Sequence, residues 1–249
     1  MSNTEFTDFG IENIHPDEKR KRVNDLFDSV ASNYDLMNDL MSLGVHRLWK
    51  RYAAHISNVK SGDIVLDVAG GTGDMARKFS QRVGDQGSVY ICDLSYEMLA
   101  MGRNRLINSG DYNNIKIIQG DAENLPFQDN QFDMISVAFG LRNMADKQQS
   151  LASMYSKLKY GGKLLILEFS HLVINIFKPL YHSYSDGYIP ALGKIVARDE
   201  PSYRYLVDSI KRHPNQETLK TMIEQVGFSR VCYHNLSGGI VAIHTAYKL

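Results

Sequence analysis

The sequence predicts an α/β fold of the Rossmann-like type, with a mostly parallel seven-stranded sheet that ends in an antiparallel C-terminal hairpin. From residue 63 onward, short apolar runs alternate with helical patterns, as expected for parallel strands covered by helices on both faces. A glycine-rich loop, Ala69-Gly70-Gly71-Thr72-Gly73-Asp74, follows the first apolar run. Two strand-like runs near the C-terminus are separated only by Ser237-Gly238-Gly239, which favours a hairpin.

The N-terminal part, residues 1–60, has a helical pattern. Pro16 can begin a helix, because proline suits the first turn, and apolar residues from Val23 to Val30 recur at spacings of three and four. A second helical pattern covers residues 45–56. We expect this part to be a helical lid on the rest of a single domain.

The central part, residues 61–171, alternates between strand and helix patterns. Gly161-Gly162 is expected to end the last helix and to turn the chain into the last strand. The predicted strands are 64–69, 88–93, 115–120, 132–139 and 163–169, and the predicted helices are 74–83, 96–107 and 147–158. This part is expected to bind the ligand.

Two segments complete the chain. Residues 172–214 are rich in Tyr, Phe and Leu and fit neither a strand nor a simple helix, so we predict an apolar insertion there. Residues 215–249 are predicted to form a helix and the terminal hairpin, with strands at 228–236 and 240–247.

Composition and charge exclude several classes of protein. Hydrophobic residues make up 43% and charged residues 22%, as in an ordinary core-forming protein. The formal net charge of +0 and the scattered histidines predict neither nucleic-acid binding nor a metal site. The N-terminus is polar and no run of ~20 apolar residues occurs, which predicts a cytoplasmic protein. Cys92 and Cys232 are far apart in the sequence, so both thiols are expected to be reduced and to lie in the core. The sequence indicates no oligomeric state.

The glycine loop by itself leaves two ligands open. Gly71-Thr72-Gly73-Asp74-Met75-Ala76 has the spacing Gly-x-Gly-x-x-Gly/Ala, and Asp93 follows Gly73 by twenty residues. That spacing is also typical of dinucleotide-binding proteins, in which the loop approaches a pyrophosphate. The pattern therefore predicts a nucleotide-like ligand that lies close to the loop backbone.

The charges beside the loop favour a cationic ligand. Asp67 lies near the end of the first predicted strand, and Asp74 comes just after the loop. Charges ~4 Å apart interact by about 4 kcal/mol at an effective dielectric constant of about 20, so these carboxylates would repel a pyrophosphate. They suit the ammonium and sulfonium of S-adenosylmethionine. With the terminal hairpin, this cofactor indicates a class I methyltransferase and disfavours a nicotinamide-dependent dehydrogenase.

Two more strand ends are expected to face the cofactor. Asp93, at the end of the second predicted strand, can accept hydrogen bonds from both ribose hydroxyls. Asp121-Ala122 follows the third predicted strand, where the adenine lies in such a fold. Asp121 has a structural alternative, in which its side chain caps its own loop.

Several motifs resemble those of the ubiquinone/menaquinone biosynthesis C-methyltransferases. Tyr34-Asp35-Leu36-Met37-Asn38, followed by Ser42, His46 and Trp49, is similar to the first signature of that family. Four other stretches are also similar: Phe139-Gly140-Leu141-Arg142-Asn143, Glu168-Phe169-Ser170, Ser202-Tyr203-Arg204-Tyr205-Leu206 and Gly239-Ile240-Val241-Ala242. The resemblance covers nearly the whole chain.

The resemblance implies methylation of a ring carbon of a polyprenylated quinol. The substrate would be demethylmenaquinol, 2-methoxy-6-polyprenyl-1,4-benzoquinol or both, and Thr72, Asp93 and Asp121-Ala122 would contact S-adenosylmethionine. A non-catalytic scaffold within a quinone-biosynthesis complex and an RNA methyltransferase are the alternatives. The predicted cofactor site comprises Asp67, Gly70, Gly71, Thr72, Gly73, Asp93, Asp121 and Ala122.

Three positions depart from the family pattern. Ser156-Lys157 with Tyr160, and His171-Leu172, stand where the family usually has other turn residues. Ala138 stands where relatives commonly have a serine that contacts the cofactor. A lost hydroxyl contact is worth about 0.5–1.5 kcal/mol, so we expect weaker cofactor binding.

Arg142 and Asn143 are the predicted catalytic residues, because they follow the fourth predicted strand. A phenol ionises near pH ~10, and Arg142 is expected to stabilise the developing phenolate or to position a water that takes the proton. The alternative for Arg142 is a salt bridge that packs the loop. Glu168 is expected to make a structural hydrogen bond, and His46 and Trp49 are expected to pack the N-terminal helix onto the sheet.

The remaining candidates concern the substrate. Tyr34, Met37 and Asn38 are predicted parts of a substrate lid, with core contacts as the alternative for the first two. In the insertion, Tyr181 and Tyr184 are expected to help form an apolar wall for the prenyl tail. That wall could also rest on the membrane in which quinols reside, whereas a second small core is the alternative.

Overall fold

The secondary structure comes from a computed structural model that describes residues 6–30, 38–39, 42–173 and 200–249. The strands are β1 (Thr7–Phe9), β2 (Glu12–Ile14), β3 (Ile64–Val68), β4 (Ser88–Asp93), β5 (Ile115–Gln119), β6 (Phe132–Ala138), β7 (Leu158–Phe169), β8 (Ser229–Leu236) and β9 (Val241–Tyr247). The helices are α1 (Pro16–Val30), α2 (His46–Ile56), α3 (Asp74–Val83), α4 (Tyr96–Ser109), α5 (Lys147–Lys157), α6 (Glu200–Arg212) and α7 (Gln216–Val226).

Seven strands form the central sheet, in the order β5-β4-β3-β6-β7-β9-β8. Neighbouring strands from β5 to β7 run parallel, and β9 runs antiparallel to both β7 and β8. The chain moves outward from β3 in one direction through β4 and β5, and in the other through β6 and β7. The carboxyl ends of β3 and β6 therefore meet at a topological switch point, where α/β folds bind ligands.

Apolar side chains cover both faces of the sheet. Along β3, Val65 belongs to one buried cluster and Leu66 to the other, because successive residues of a strand face opposite sides. Phe79 of α3 packs on the first face, and Met154 of α5 and Ile223 of α7 pack on the second. The predicted α/β fold, including the parallel core and the terminal antiparallel strands, is confirmed.

The double glycine has a different role from the one predicted. Helix α5 ends at Lys157, and β7 begins at once with Leu158, which pairs with Phe132 of β6 before an irregularity in the register. Gly161 lies inside β7 at φ +81°, and its amide donates to the carbonyl of Lys248 at 2.7 Å. The glycines thus bend a paired strand, whereas the prediction had them ending the helix.

The structure also contains elements that the sequence pattern did not indicate. The short strands β1 and β2 pair with each other, and α6 occupies the end of the segment predicted to be neither strand nor simple helix. Cys92 is buried as expected, but Cys232 is exposed, so the prediction of a core thiol there is wrong. Residues 174–199, which include most of the predicted apolar insertion, lie outside the described residues.

No helix of the described ranges has both the length and the apolar character needed to cross a membrane.

Candidate functional site

A cavity opens at the carboxyl edge of the sheet, at the switch point between β3 and β6. Its wall includes the glycine loop after β3, the end of β4, the turn after β5 and the segment that follows β6. Helix α1 contributes Arg20, Val23, Asn24 and Phe27 to the opposite wall. The N-terminal helix therefore lies over the predicted cofactor site.

The glycine loop has no room for larger side chains. A Cβ atom at Gly70 would lie 2.8 Å from Cγ2 of Ile91 and 3.0 Å from Oδ2 of Asp67. Gly73 has φ +79°, a left-handed conformation that favours glycine, at the residue before α3. The loop can therefore present bare backbone to the cavity.

Two turns meet at the centre of the site. Ala69 after β3 has φ +51° and Phe139 after β6 has φ +59°, both unusual for residues with side chains. A Cβ at Gly140 would lie 2.4 Å from the Cβ of Ala69, so these turns pack directly on each other. Such strained backbone is typical of functional sites held in place by the surrounding fold.

Asp67 points a buried carboxyl group toward this site. Its Oδ1 accepts a hydrogen bond from Oγ of Ser136 at 2.5 Å, whereas its buried Oδ2 has no hydrogen-bond partner. Burial raises the pKa of Asp67 to about 7, although Ser136 and the ammonium of Lys50 act in the opposite direction. The orphaned oxygen fits a cationic donor on a ligand.

Ligand binding is therefore expected to depend on pH. Below about pH 7 the Asp67 carboxyl is protonated and attracts an ammonium poorly, so affinity for S-adenosylhomocysteine should rise about three- to tenfold between about pH 6 and about pH 7.5. Calorimetric titration across this range measures the effect. The Asp67→Asn variant should bind more weakly and lose the pH dependence, and an unchanged slope in that variant would contradict this assignment.

Asp74 has its charge compensated by the protein. Its Oδ2 accepts a hydrogen bond from Nζ of Lys50 at 2.8 Å, and its Oδ1 accepts one from Nζ of Lys78 at 3.3 Å. Both lysines lower the pKa of Asp74, to about 2 against the opposing effect of burial. Asp74 lines the cavity as well, but two ammonium groups already offset its charge, whereas Asp67 has an oxygen without a hydrogen-bond partner for a cationic ligand.

Asp93 connects the end of β4 with the glycine loop. Its Oδ2 accepts from the amide of Gly71 at 2.8 Å, and its Oδ1 accepts from the amide of Ser95 at 3.0 Å. Burial raises the pKa of Asp93, against these two hydrogen bonds. Thr72 also lines the cavity, and its Oγ1 accepts from Nη1 of Arg105 at 3.3 Å.

Asp121 and Ala122 line the cavity in the turn after β5. Oδ1 of Asp121 accepts from the amide of Glu123 at 2.9 Å, which is the capping role foreseen as the alternative. Its Oδ2 lies 3.3 Å from Nε of Arg20, and Arg20 also pairs with Glu123. Arg20 ties α1 to this end of the cavity. The sequence did not indicate this role, because Arg20 lies in a run of charged residues, 17–22, that is typical of a solvated helix start.

Arg142 makes a buried ion pair behind the cavity wall. Its Nη1 donates to Oε1 of Glu168 at 2.8 Å and to the carbonyl of Phe139 at 2.5 Å, while its Nε is buried without a hydrogen-bond partner. Glu168 also accepts from the amides of Arg142 and Phe169, so its predicted structural hydrogen bond is confirmed. The salt bridge foreseen as the alternative for Arg142 is present.

Asn143 lines the cavity directly. Its Oδ1 accepts a hydrogen bond from the hydroxyl of Tyr205 at 3.2 Å, and burial raises the pKa of Tyr205. Helix α6 thereby fixes the orientation of the Asn143 amide from outside the sheet.

Some of the N-terminal candidate residues pack in the protein interior, and others lie outside the described residues. Trp49 is 8% exposed, and its ring lies 6.3 Å from those of Phe139 and Phe169, so its predicted packing role is confirmed. His46 is buried too, and its Nδ1 lies 2.8 Å from Oγ of Ser42. Asn38 is half-buried, and its carbonyl accepts from Ser42. The other predicted substrate residues, Tyr34, Met37, Tyr181 and Tyr184, lie outside the described residues.

Ala138 ends β6 and lines the cavity. We expect Ala138→Ser to tighten S-adenosylhomocysteine binding about two- to tenfold, because a hydroxyl there regains one hydrogen bond. Calorimetry measures the difference, and Ala145→Ser, at another cavity-lining alanine, is the matched control. Equal affinities in the wild type and Ala138→Ser would show that this position does not limit cofactor binding.

The residues present fit S-adenosylmethionine. The side-chain-free Gly70 leaves space at the loop, the orphaned Oδ2 of Asp67 suits an ammonium, and the carboxylate of Asp93 has lone pairs left for hydroxyl donors. The described residues contain no group of three or more His, Cys, Asp or Glu that could hold a metal ion.

Known proteins resemble the chain over nearly its whole length. The sequence model of the ubiE/COQ5 methyltransferase family matches residues 15–248. The protein named ubiquinone/menaquinone biosynthesis C-methyltransferase UbiE in Legionella pneumophila strain Lens is 55% identical to this chain, over 97% of both chains. The protein of that name in Pseudomonas aeruginosa strain LESB58 is 51% identical, over 97% of this chain and 94% of the relative.

Solved structures share the fold at low identity. A SAM-dependent methyltransferase from Aquifex aeolicus has a TM-score of 0.57 at 18% identity and covers 80% of this chain and 89% of its own. The [4+2]-cyclase SpnF has a TM-score of 0.66 at 16% identity and covers 92% of this chain and 96% of its own. Because a cyclase has this fold as well, the fold alone does not identify the reaction.

Proposed function

The chain belongs to the ubiE/COQ5 methyltransferase family, and we propose that it transfers a methyl group from S-adenosylmethionine to a ring carbon of a polyprenylated quinol. The observation that carries the proposal is the 55% identity, over 97% of both chains, to a ubiquinone/menaquinone biosynthesis C-methyltransferase. Family membership sets aside the nicotinamide-dependent dehydrogenase and the RNA methyltransferase. The proposed substrates are demethylmenaquinol, 2-methoxy-6-polyprenyl-1,4-benzoquinol or both.

We assign the two ends of the cavity to different parts of the cofactor. Asp67 and the bare glycine loop would hold the amino-acid end, Asp93 the ribose, and Asp121 with Ala122 the adenine. When bound, S-adenosylmethionine supplies an electrophilic methyl group on its sulfonium. The protein contributes alignment and a site from which water is excluded.

The acceptor carbon becomes a good nucleophile when the neighbouring hydroxyl loses its proton. Since a free phenol ionises near pH ~10, the site must favour the phenolate. We propose that Arg142 stabilises this charge or positions a water that takes the proton, and that Asn143 orients the ring. Two observations support this: Asn143 lines the cavity, and the adjacent Arg142 retains an unpartnered Nε.

A methyl-transfer assay tests the proposed function. Radiolabelled S-adenosylmethionine is incubated with the protein and short-tailed forms of the naphthoquinol and the benzoquinol, separately. We expect label in one or both quinols, and the pattern identifies the substrate. If neither quinol is labelled while S-adenosylhomocysteine binds, the non-catalytic scaffold is the better description.

We further propose that residues 172–199, the part of the insertion before α6, contact the prenyl tail at a membrane surface; in α6 itself Tyr203 and Leu206 are buried in the protein. The Tyr, Phe and Leu content of residues 172–199 supports this, since burial of apolar area contributes about 25 cal/mol per Å². Flotation with liposomes that contain a polyprenylated quinol should carry the protein upward. Absence of association both with and without quinol would contradict membrane docking.

A further inference from the structure

Three buried side-chain atoms on the cavity wall have no hydrogen-bond partner in the part of the chain that the structure describes. They are Oδ2 of Asp67, Oδ1 of Asn24 and Nε of Arg20. Asp67 is assigned to the ammonium of the cofactor. Arg20 alone of the three supplies a donor, and it lies on α1 beside Asp121, at the end of the cavity assigned to the adenine.

Carboxylates hold the Arg20 guanidinium by its two terminal nitrogens. Nη1 donates to Oδ1 of Asp17 at 2.5 Å, and Nη2 donates to Oε2 of Glu123. Glu123 is fixed in turn, because its Oε1 accepts from the amide of Asp146 at 2.9 Å. Since a guanidinium is planar and presents its N–H groups in a fixed fork, these contacts also fix the direction of the Nε–H bond.

Nε of Arg20 lies beside Asp121 without a hydrogen bond to it. Oδ2 of Asp121 is 3.3 Å away, yet Nε has no hydrogen-bond partner, so its N–H does not point at this carboxylate. Oδ1 of Asp121 already accepts from the amide of Glu123, which leaves Oδ2 as the oxygen available to a ligand. A buried N–H without an acceptor is unfavourable, and a ligand that brings an acceptor removes that cost.

An acceptor and a donor are therefore neighbours at this end of the cavity. Oδ2 of Asp121 can accept a hydrogen bond, and Nε of Arg20 can donate one. Adenine presents the complementary pair, because its 6-amino group donates and the ring nitrogens on either side of that group, N1 and N7, accept. Guanine carries an oxygen at position 6, which would face the carboxylate with a second acceptor. The pair therefore fits adenine.

We infer that Nε of Arg20 donates a hydrogen bond to an adenine ring nitrogen next to the 6-amino group, while Oδ2 of Asp121 accepts one from that amino group. Helix α1 thereby recognises the base of the cofactor, in addition to forming a wall of the cavity. The inference deepens the proposed cofactor site and rests on the placement of the adenine given there.

The test compares S-adenosylhomocysteine with its 1-deaza and 7-deaza analogues, in which carbon replaces N1 or N7. In calorimetric titrations the wild type should bind at least one analogue about 10- to 100-fold more weakly, the range for a hydrogen bond to a charged group. Arg20→Lys keeps a cation for Asp17 and Glu123 but has a methylene group in place of Nε. In this variant the difference between S-adenosylhomocysteine and one analogue should fall below about twofold.

Arg22→Lys is the matched control. Arg22 also lies on α1 and also pairs with two carboxylates, those of Glu12 and Glu18, but it is not among the residues of the cavity wall. The same substitution at this position should leave both analogue differences within about twofold of their wild-type values.

Two results would overturn the inference. One is equal binding of all three ligands by the wild type. The other is that Arg20→Lys still distinguishes both analogues as strongly as the wild type does, which would mean that Arg20 only ties α1 to the turn after β5. These titrations contain no quinol, so they succeed or fail independently of the methyl-transfer assay.

Discussion

Replacing Arg142 with alanine is expected to lower the free energy of unfolding by about 3 to 5 kcal/mol and to abolish methyl transfer. The guanidinium is buried, and so is its partner Glu168, which is 1% exposed. Without Arg142, the Glu168 carboxylate stays in the core, and among the described residues it keeps only the backbone amide donors of residues 142 and 169. Chemical denaturation measures the loss of stability, and the radiolabel assay measures transfer.

A single variant cannot separate the salt bridge from catalysis, but a double variant can. Arg142→Met with Glu168→Gln removes both charges together. The amides of residues 142 and 169 donate to different oxygens of Glu168, so the glutamine oxygen still accepts from one of them. Replacing both members of a buried pair is far less costly than removing one, so stability should return to within about 2 kcal/mol of the wild type. S-adenosylhomocysteine should then bind as in the wild type, because neither residue is among those of the cavity wall.

Turnover in the double variant decides the role of Arg142. If Arg142 acts on the quinol, transfer stays lost although the fold and cofactor binding are restored. If transfer returns together with stability, the salt bridge is the whole function of Arg142, and the proposed catalytic role is wrong. Glu168→Gln alone serves as the matched control. It leaves the buried guanidinium without its counter-charge and so loses stability as Arg142→Ala does, but wherever it is folded it keeps the guanidinium and should retain transfer.

The parallel core was predictable because its central strands, such as β3 and β6, are buried on both faces. Runs such as 64–69 and 132–139 are almost continuously apolar, and helices with regular spacing separate most of them. The pairing of Thr7–Phe9 with Glu12–Ile14 was not predictable, since three-residue strands show no periodicity. Helix α6 was hidden because its pattern lies in an aromatic-rich segment without a clear start signal.

The sequence predicted where the site residues lie along the edge of the sheet, but it did not predict which side chains pair with them. Strand ends placed Asp67 and Asp93 at one edge of the sheet. Lys50, however, meets Asp74 across 24 positions of sequence, and such a pairing depends on how α2 packs. The one available signal was a lysine on the face of α2 that also carries Trp49 and Ala53, where an apolar residue is expected.

Asp93→Ala is expected to weaken S-adenosylhomocysteine binding at least about 100-fold. The carboxylate would accept two ribose hydroxyls, and each charge-assisted hydrogen bond is worth about 1.5 kcal/mol or more, so the loss is at least about 3 kcal/mol. The variant also frees the amide of Gly71, which now donates to Asp93 at 2.8 Å, and so loosens the loop that the ligand contacts. Calorimetry measures the affinity.

The control variant must also remove a carboxylate that accepts a hydrogen bond from a backbone amide, but at a residue that does not line the cavity. Asp133 offers it: its Oδ2 accepts from the amide of Ile64 at 2.9 Å, at the opposite end of β3. Asp133→Ala therefore removes a carboxylate that also holds the backbone of the sheet, yet it should leave S-adenosylhomocysteine affinity within about twofold of the wild type. A similar loss of affinity in both variants would mean that Asp93 acts through stability alone. Loss confined to Asp93→Ala, with both variants folded, places the ribose at the end of β4, because only there does the lost carboxylate line the cavity.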